Sequence, residues 1–355
     1  MKFRRTTTIY GCLAAVVLML FLFSARAAEE QLQLKGSGAS FPYPIYTNWF
    51  KDFSRKHGNV KVLYQDKGSG GGIQDFLHGA VDFAASGTPL TAEEIAAIEQ
   101  GVVLLPLAAE QVALTYNLKG VDGLRLPRDV YPAIFLGEIT NWNHPKIAAA
   151  NPGIELPDMP ITVVTRSDPS GTTDILTNHL CAISAAFEKG IGRSRQPRWP
   201  GAARFIATPG NQGVATRVKH TPGAIGYVEY SFSKLLALPV ARLQNKSGSY
   251  VAPGPQASAA ALSEVEFPRD RLPVSGAPNL VADIPDPDGE SAYPVIGLSW
   301  LLLYARQDSA KAAALRKLVI YILSDEAQQQ ARELGFIPLP QELRQQARET
   351  VGFIR

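Results

Sequence analysis

Ile161-Thr-Val-Val-Thr-Arg-Ser-Asp-Pro-Ser-Gly-Thr-Thr173 decides how this chain is read. A β-branched run predicts a buried strand over 161–165. The chain then turns at Asp168-Pro169 and opens a helix at Ser170-Gly171-Thr172. The first turn of a helix leaves N–H groups without intrahelical acceptors and carries the positive end of the helix dipole, so it can seat an anion. Arg166 adds a fork of charged donors, and Asp168 is close enough in sequence to brace the guanidinium. Taken alone, the segment reads equally well as a capped helix with a surface Arg–Asp pair.

Two more strands end the same way. Lys35-Gly-Ser-Gly-Ala-Ser-Phe-Pro42 follows an apolar run, with Pro42 and Pro44 suited to a first helical turn. Lys67-Gly-Ser-Gly-Gly-Gly-Ile73 follows another, and its glycines let backbone approach a ligand closely. Ser40 and Phe41 in the first loop and Ser69 in the second therefore join Arg166, Ser170, Gly171 and Thr172 as candidate oxyanion donors. Phe41 offers its N–H and a ring that would exclude water. None of the loops has the G-x-x-x-x-G-K-[ST] spacing, which argues against nucleotide hydrolysis.

The first residues read as a targeting segment. Lys2, Arg4 and Arg5 precede an apolar run at 13–23, and Ala25-Arg26-Ala27 is an A-x-A cleavage signal, so residues 1–27 are expected to be a signal peptide. The formal net charge of +3 includes Lys2, Arg4, Arg5 and Arg26; removing those four charges leaves −1. Basicity thus argues for neither nucleic acid nor membrane as a partner. Cys181 is the only cysteine after the leader, so no intrachain disulfide is expected despite export. The remaining chain, roughly 328 residues, is long enough for two compact units held by apolar burial.

Strands are predicted at 31–34, 60–65, 81–85, 112–117, 161–165, 225–230 and 295–304, and helices at 44–55, 72–78 and 95–100. Thr91 and Glu94 form a capping box, and Asp308 and Ser324 cap two C-terminal helices. Strand–helix alternation predicts an α/β fold with ligands at the carboxyl ends of the strands. Residues 239–294 are rich in Pro, Gly, Ala and Ser and read as a long irregular excursion. His57, His78, His144, His179 and His220 show no metal-ligand spacing. Ser170 is not in a G-x-S-x-G turn, so no catalytic residue, cofactor or metal is assigned. Trp49, Trp142, Trp199 and Trp300, with Tyr227 and Tyr230, read as packing residues.

Together, Gly36-Ser-Gly-Ala-Ser-Phe-Pro42, Val81-Asp-Phe-Ala-Ala-Ser86, Arg166 to Thr172, Gly137-Glu-Ile-Thr-Asn-Trp142 with Asn151-Pro-Gly153, and Pro222-Gly-Ala-Ile-Gly-Tyr-Val-Glu-Tyr230 resemble the periplasmic phosphate-binding proteins of ABC importers. The resemblance runs in order through nearly the whole chain after the leader. It implies a bilobed periplasmic-binding-protein fold, type II-like, with two mixed-sheet lobes joined by a two-crossover hinge. Lobe 1 would comprise 28–110 and 295–355, and lobe 2 would comprise 111–294. The resemblance further implies a periplasmic monomer that binds inorganic phosphate and works with ABC permease and ATPase subunits. Its ligand contacts fall on Ser40, Phe41, Ser69, Arg166, Ser170, Gly171 and Thr172, with Asp168 bracing Arg166.

One position departs from the pattern. The family typically places an aspartate after the Ala-Ser strand end, where it accepts the proton that phosphate carries and sulfate lacks. This chain reads Ser86-Gly87-Thr88-Pro89-Leu90. Gly87, Thr88 and Glu110 are therefore the uncertain members of the site. Glu110 reads either as a solvated strand-end carboxylate, the commoner situation, or as a group that reaches the cleft. The residues leave three ligand readings open: phosphate with another acceptor, phosphate with sulfate competing, or a different tetrahedral oxyanion. A secreted scavenger or sensor without a permease is the alternative role.

Overall fold

The computed structural model describes residues 31–201 and 204–355; the expected leader, 1–27, lies outside the described residues. The strands are β1 (Leu32–Gly38), β2 (Val60–Asp66), β3 (Phe83–Ser86), β4 (Val102–Tyr116), β5 (Arg125–Leu126), β6 (Thr162–Arg166), β7 (Phe205–Thr208), β8 (Ala224–Glu229), β9 (Arg242–Gln244), β10 (Tyr250–Val251) and β11 (Ile296–Tyr304). Eight of them form one mixed sheet in the order β2-β1-β3-β11-β4-β8-β6-β7, and β10-β9-β5 form a small second sheet.

The longest strand is β4. All of its 15 residues are buried, although only its last third was expected as a strand. Pro106 lies inside it, where a ladder N–H is missing. β4 bulges there: adjacent Ser299 and Trp300 of β11 face Ala108 and Pro106, leaving Leu107 as the extra residue. Residues 102–111 of β4 pair with β11, and Val112–Tyr116 pair with β8. The same strand thus serves both halves of the molecule.

Apolar burial divides about that strand. One core cluster includes Leu34, Trp49, Phe53, Phe76, Phe83, Leu104, Leu301, Leu318 and Ile354. A second includes Val112, Tyr131, Trp142, Val163, Leu180, Tyr227 and Val295, and a smaller third packs Val164, Val214, Val218 and Val228 together. Each fully buried Leu, Val or Phe contributes about 1.5–3 kcal/mol. Trp49 donates to the Ala327 carbonyl at 2.8 Å and Trp300 to that of Leu280 at 2.7 Å, so neither indole N–H is wasted on burial.

Residues 239–294 are less irregular than expected and do not belong to one half. They contain β9, β10 and a helix, Pro255–Leu262. Ala261, Leu262, Leu272, Ala277, Leu280, Ile284 and Ala292 sit in the first core, whereas Ala257 and Tyr293 sit in the second. The stretch is thus shared between the two cores. The apolar residues are spaced too widely for periodicity to show which core each would join.

The local signals of the helix starts are found where expected. Thr91 accepts from Glu94 N–H at 3.1 Å while the Glu94 carboxylate accepts from Thr91 N–H at 2.8 Å, which caps Ala92–Ala96. Asp308 caps Ser309–Ile322, and Ser324 caps Asp325–Glu333. The helix Gly68–Leu77 begins four residues before its expected start and lies tightly on β1. A Cβ on Gly72 would fall 2.3 Å from Gly38 Cα and 2.8 Å from the Ser37 carbonyl oxygen. Gly72→Ala is therefore expected to lower stability by about 1–3 kcal/mol through overpacking; urea denaturation with an unchanged midpoint would contradict this backbone contact.

Candidate functional site

The parallel strands β1, β2 and β3 of the first half and β6 and β7 of the second turn their carboxyl ends toward one another, and the glycine-rich loops meet there. Gly70 N–H donates to the Pro169 carbonyl at 3.0 Å, linking the second loop to the third. Ser69 Oγ accepts from Gly87 N–H at 3.0 Å and from Gly171 N–H at 3.1 Å, one donor from each half. The approach depends on small residues. A Cβ on Gly171 would lie 2.6 Å from both Gly87 Cα and Ser69 Oγ, and Gly68, at φ +72°, faces Asp168 where a Cβ would be 2.5 Å from its carboxylate.

Arg166 ends β6 and is 4% exposed. Its backbone N–H donates to Tyr227 Oη at 3.1 Å, and its side chain is forked onto Asp168 through Nε to Oδ1 at 2.8 Å and through Nη2 to Oδ2. Asp168 Oδ1 also accepts from Gly210 N–H at 3.0 Å. Burial would raise the Asp168 carboxyl, but the bonds and charge of Arg166 with the Gly210 amide outweigh it and hold it below its ordinary value. The guanidinium is thus fixed and oriented, with Nη1 buried and without a hydrogen-bond partner among the described residues.

A second chain of contacts crosses between the halves. Asn211 Nδ2 donates to Ser40 Oγ at 3.0 Å and to Thr172 Oγ1 at 3.2 Å, while its Oδ1 accepts from Glu229 N–H at 2.9 Å. Thr172 Oγ1 in turn donates to Glu110 Oε1. Ser170 caps the helix Gly171–Ile183, its Oγ accepting from Thr173 N–H at 3.2 Å. By their positions, the amides of Ser69 and Thr172 have no intrahelical acceptor.

The fold therefore brings together Ser40, Ser69, Gly87, Glu110, Arg166, Asp168, Ser170, Gly171 and Thr172. Two expected members stand apart. The Phe41 ring is packed in the first core, so only its backbone remains beside Ser40 to face a ligand, and Thr88 is tied through its backbone groups to Ser86 Oγ. The reading of Glu110 as a solvated strand-end residue is corrected: it lies within β4, fully buried. Burial pushes its carboxyl up to about 8, only partly offset by the Thr172 hydroxyl and the Arg166 charge. Glu229 is likewise pushed up to about 8, by burial and the nearby Glu110, with bonds from Ser231 opposing the rise.

Sequence reasoning missed Asn211 and Arg195. Asn211 stands in Thr208-Pro-Gly-Asn-Gln-Gly213, a fourth strand-to-helix loop whose Pro-Gly pair was a usable signal. Arg195 bridges the halves, bonding Glu94 at 2.8 and 3.0 Å and the Pro89 carbonyl at 2.8 Å, and no local pattern marks it. Tyr227 does more than pack, since its hydroxyl holds both Arg166 N–H and Thr173 Oγ1.

Two halves sharing one strand, with loops converging at strand ends, define the class of two-lobed binding proteins. A PBP superfamily domain profile matches residues 24–326. The phosphate-binding protein PstS of Xylella fastidiosa (strain 9a5c) is 35% identical over 319 residues, spanning 88% of this chain and 83% of its own length. PstS of Pasteurella multocida (strain Pm70) is 35% identical over 334 residues, spanning 92% of each. The solved high-affinity periplasmic phosphate-binding protein PfluDING, with phosphate bound, superposes with a TM-score of 0.70 at 22% identity, covering 90% of this chain and 93% of that one. The chain belongs to the PBP superfamily and, within it, to the family of the PstS phosphate-binding proteins.

The two raised carboxyls set a pH dependence. Between about 4.5 and 8 the unfolded chain loses protons that the folded, ligand-free protein keeps on Glu110 and Glu229, so stability falls as pH rises through that window. The thermal midpoint of ligand-free protein should fall from pH 5 to pH 8, and Glu110→Gln should flatten that slope. An unaltered slope in the variant would show that Glu110 is not the group titrating there.

Proposed function

We propose that the protein captures inorganic phosphate between its two lobes and delivers it to an ABC permease for import, with a partner ATPase supplying the energy. The observation that carries this reading is the pairing of a braced guanidinium, Arg166 on Asp168, with hydroxyl and amide donors from the opposite half. The names of the relatives, PstS phosphate-binding proteins, support phosphate as the ligand.

In this reading Ser40, Phe41 and Ser69 close from lobe 1, which comprises 28–110 and 295–355 together with part of the 239–294 stretch. Arg166, Ser170, Gly171 and Thr172 close from lobe 2. Asp168 holds the guanidinium in register, and Asn211 ties Ser40 to Thr172. The chain crosses between lobes at β4 and again just before β11, and bending there would open the cleft. Closure excludes water, which strengthens each donor–anion contact. No bond is broken, and the protein acts as an exported, periplasmic monomer.

Arg166→Ala removes charge-assisted bonds worth about 1.5–3 kcal/mol each. Calorimetric titration with phosphate near pH 7 should therefore give tight 1:1 binding in the wild type and a loss of about 100-fold or more in the variant. Circular dichroism should show the variant folded. Undiminished affinity in a folded Arg166→Ala protein would overturn the site assignment.

A further inference from the structure

Gly87 is not glycine for conformational reasons, since its φ lies outside the left-handed region that L side chains avoid. What constrains it is space. A Cβ at position 87 would fall 3.0 Å from Glu110 Oε2 and 3.3 Å from Gly171 Cα. The place beside residue 87 is filled by a carboxylate that arrives from another element, the lobe-spanning strand β4.

That carboxylate has one oxygen committed and one not. Oε1 accepts from the Thr172 hydroxyl, whereas Oε2 is buried without a hydrogen-bond partner among the described residues, as is Arg166 Nη1. An ionised carboxylate only accepts hydrogen bonds. Asp168 is committed to Arg166 and Gly210, and the protons of Thr172 and Asn211 are committed within the cluster; the remaining side chains, Arg166, Ser40, Ser69 and Ser170, offer donors. A single acceptor among donors repels a fully deprotonated anion and favours one that carries a hydroxyl proton. At neutral pH hydrogenphosphate carries such a proton and sulfate carries none.

We propose that Glu110 is the specificity-determining residue of the cleft, accepting the hydroxyl proton of a tetrahedral oxyanion on Oε2, and that Gly87 is small because this carboxylate takes the space beside it. The inference rests on the phosphate-binding reading above. The proton stays between Oε2 and a ligand oxygen, and no bond to phosphorus forms or breaks. Burial raises the Glu110 carboxyl, the Thr172 hydroxyl and the Arg166 charge oppose the rise, and Glu110 in turn raises Glu229 on β8. In the ligand-free protein burial pushes the Glu110 carboxyl up to about 8, so it accepts a ligand proton only where it is ionised, and the preference for phosphate should grow as pH rises through that value. A site built around a ligand hydroxyl rejects the analogue lacking it by about 10⁴–10⁵-fold.

The test compares phosphate and sulfate affinities at about pH 9, where Glu110 is mostly ionised and hydrogenphosphate keeps its proton, by calorimetry for the wild type, Glu110→Gln, and Gly87→Asp combined with Glu110→Gly. The wild type should prefer phosphate by at least about 10³-fold. Glu110→Gln can donate an amide proton to sulfate, so the preference should fall by about 100-fold or more, chiefly through tighter sulfate binding. The double variant returns a carboxylate from the other side of the same space and should restore the preference. It also keeps the inference testable should Glu110→Gln fail to fold. Wild-type protein that binds both ions equally, or a Glu110→Gln protein with an unchanged ratio, would overturn the role of Glu110 while leaving phosphate binding intact. Absence of phosphate binding in the wild type would instead overturn the functional reading and the inference with it.

Discussion

The burial of β4 along its whole length is the constraint on which the other features depend. A strand of 15 residues spans more than either core needs, and this one pairs with β11 over its first part and with β8 over its last. Because one continuous strand pairs into both halves, the two cores are joined through a shared backbone ladder. The strand also carries Glu110 and Gln111 at the point where the pairing changes hands. A carboxylate there sits where pairing with β11 ends and pairing with β8 begins, beside Gly87 and Thr172.

The loops meet because their smallest residues face one another. Gly87 and Gly171 approach through Ser69 Oγ, and Gly68 and Gly70 approach Asp168 and Pro169. Backbone amides are thereby brought close to a fixed guanidinium, giving a concentration of donors that no single loop could supply. Arg195 on Glu94 adds a contact across the same boundary away from that cluster, at the rim. The arrangement favours the closed form wherever these polar groups are satisfied across the halves, and solvent competes for them when the halves part.

Much of this was legible locally. The capping box at Thr91 and Glu94, the caps at Asp308 and Ser324, and the strand–loop–helix form of 161–173 each rest on neighbours a few residues apart, where periodicity and cap chemistry are informative. The loops that carry the candidate donors Ser40, Ser69, Arg166, Ser170, Gly171 and Thr172 were legible for the same reason. The full extent of β4 was not, since Pro106 sits beside a bulge at Leu107 that local sequence does not announce. Residues 261–292 were misplaced because sparse apolar residues do not say which core will take them.

By itself the sequence determined the α/β class, the helix starts that offer amides, and the charged fork at Arg166 with its brace at Asp168. It also marked position 87 as lacking a carboxylate. Only the tertiary structure decided what stands in that space. Glu110 and Gly87 are 23 positions apart, one within β4 and the other just after β3, and no spacing rule connects them. Their juxtaposition follows from the order β3-β11-β4 and from the approach of Gly171 across the halves. Burial then changes the chemistry of the group, because a carboxyl removed from water holds its proton to a higher pH than a residue type alone would suggest.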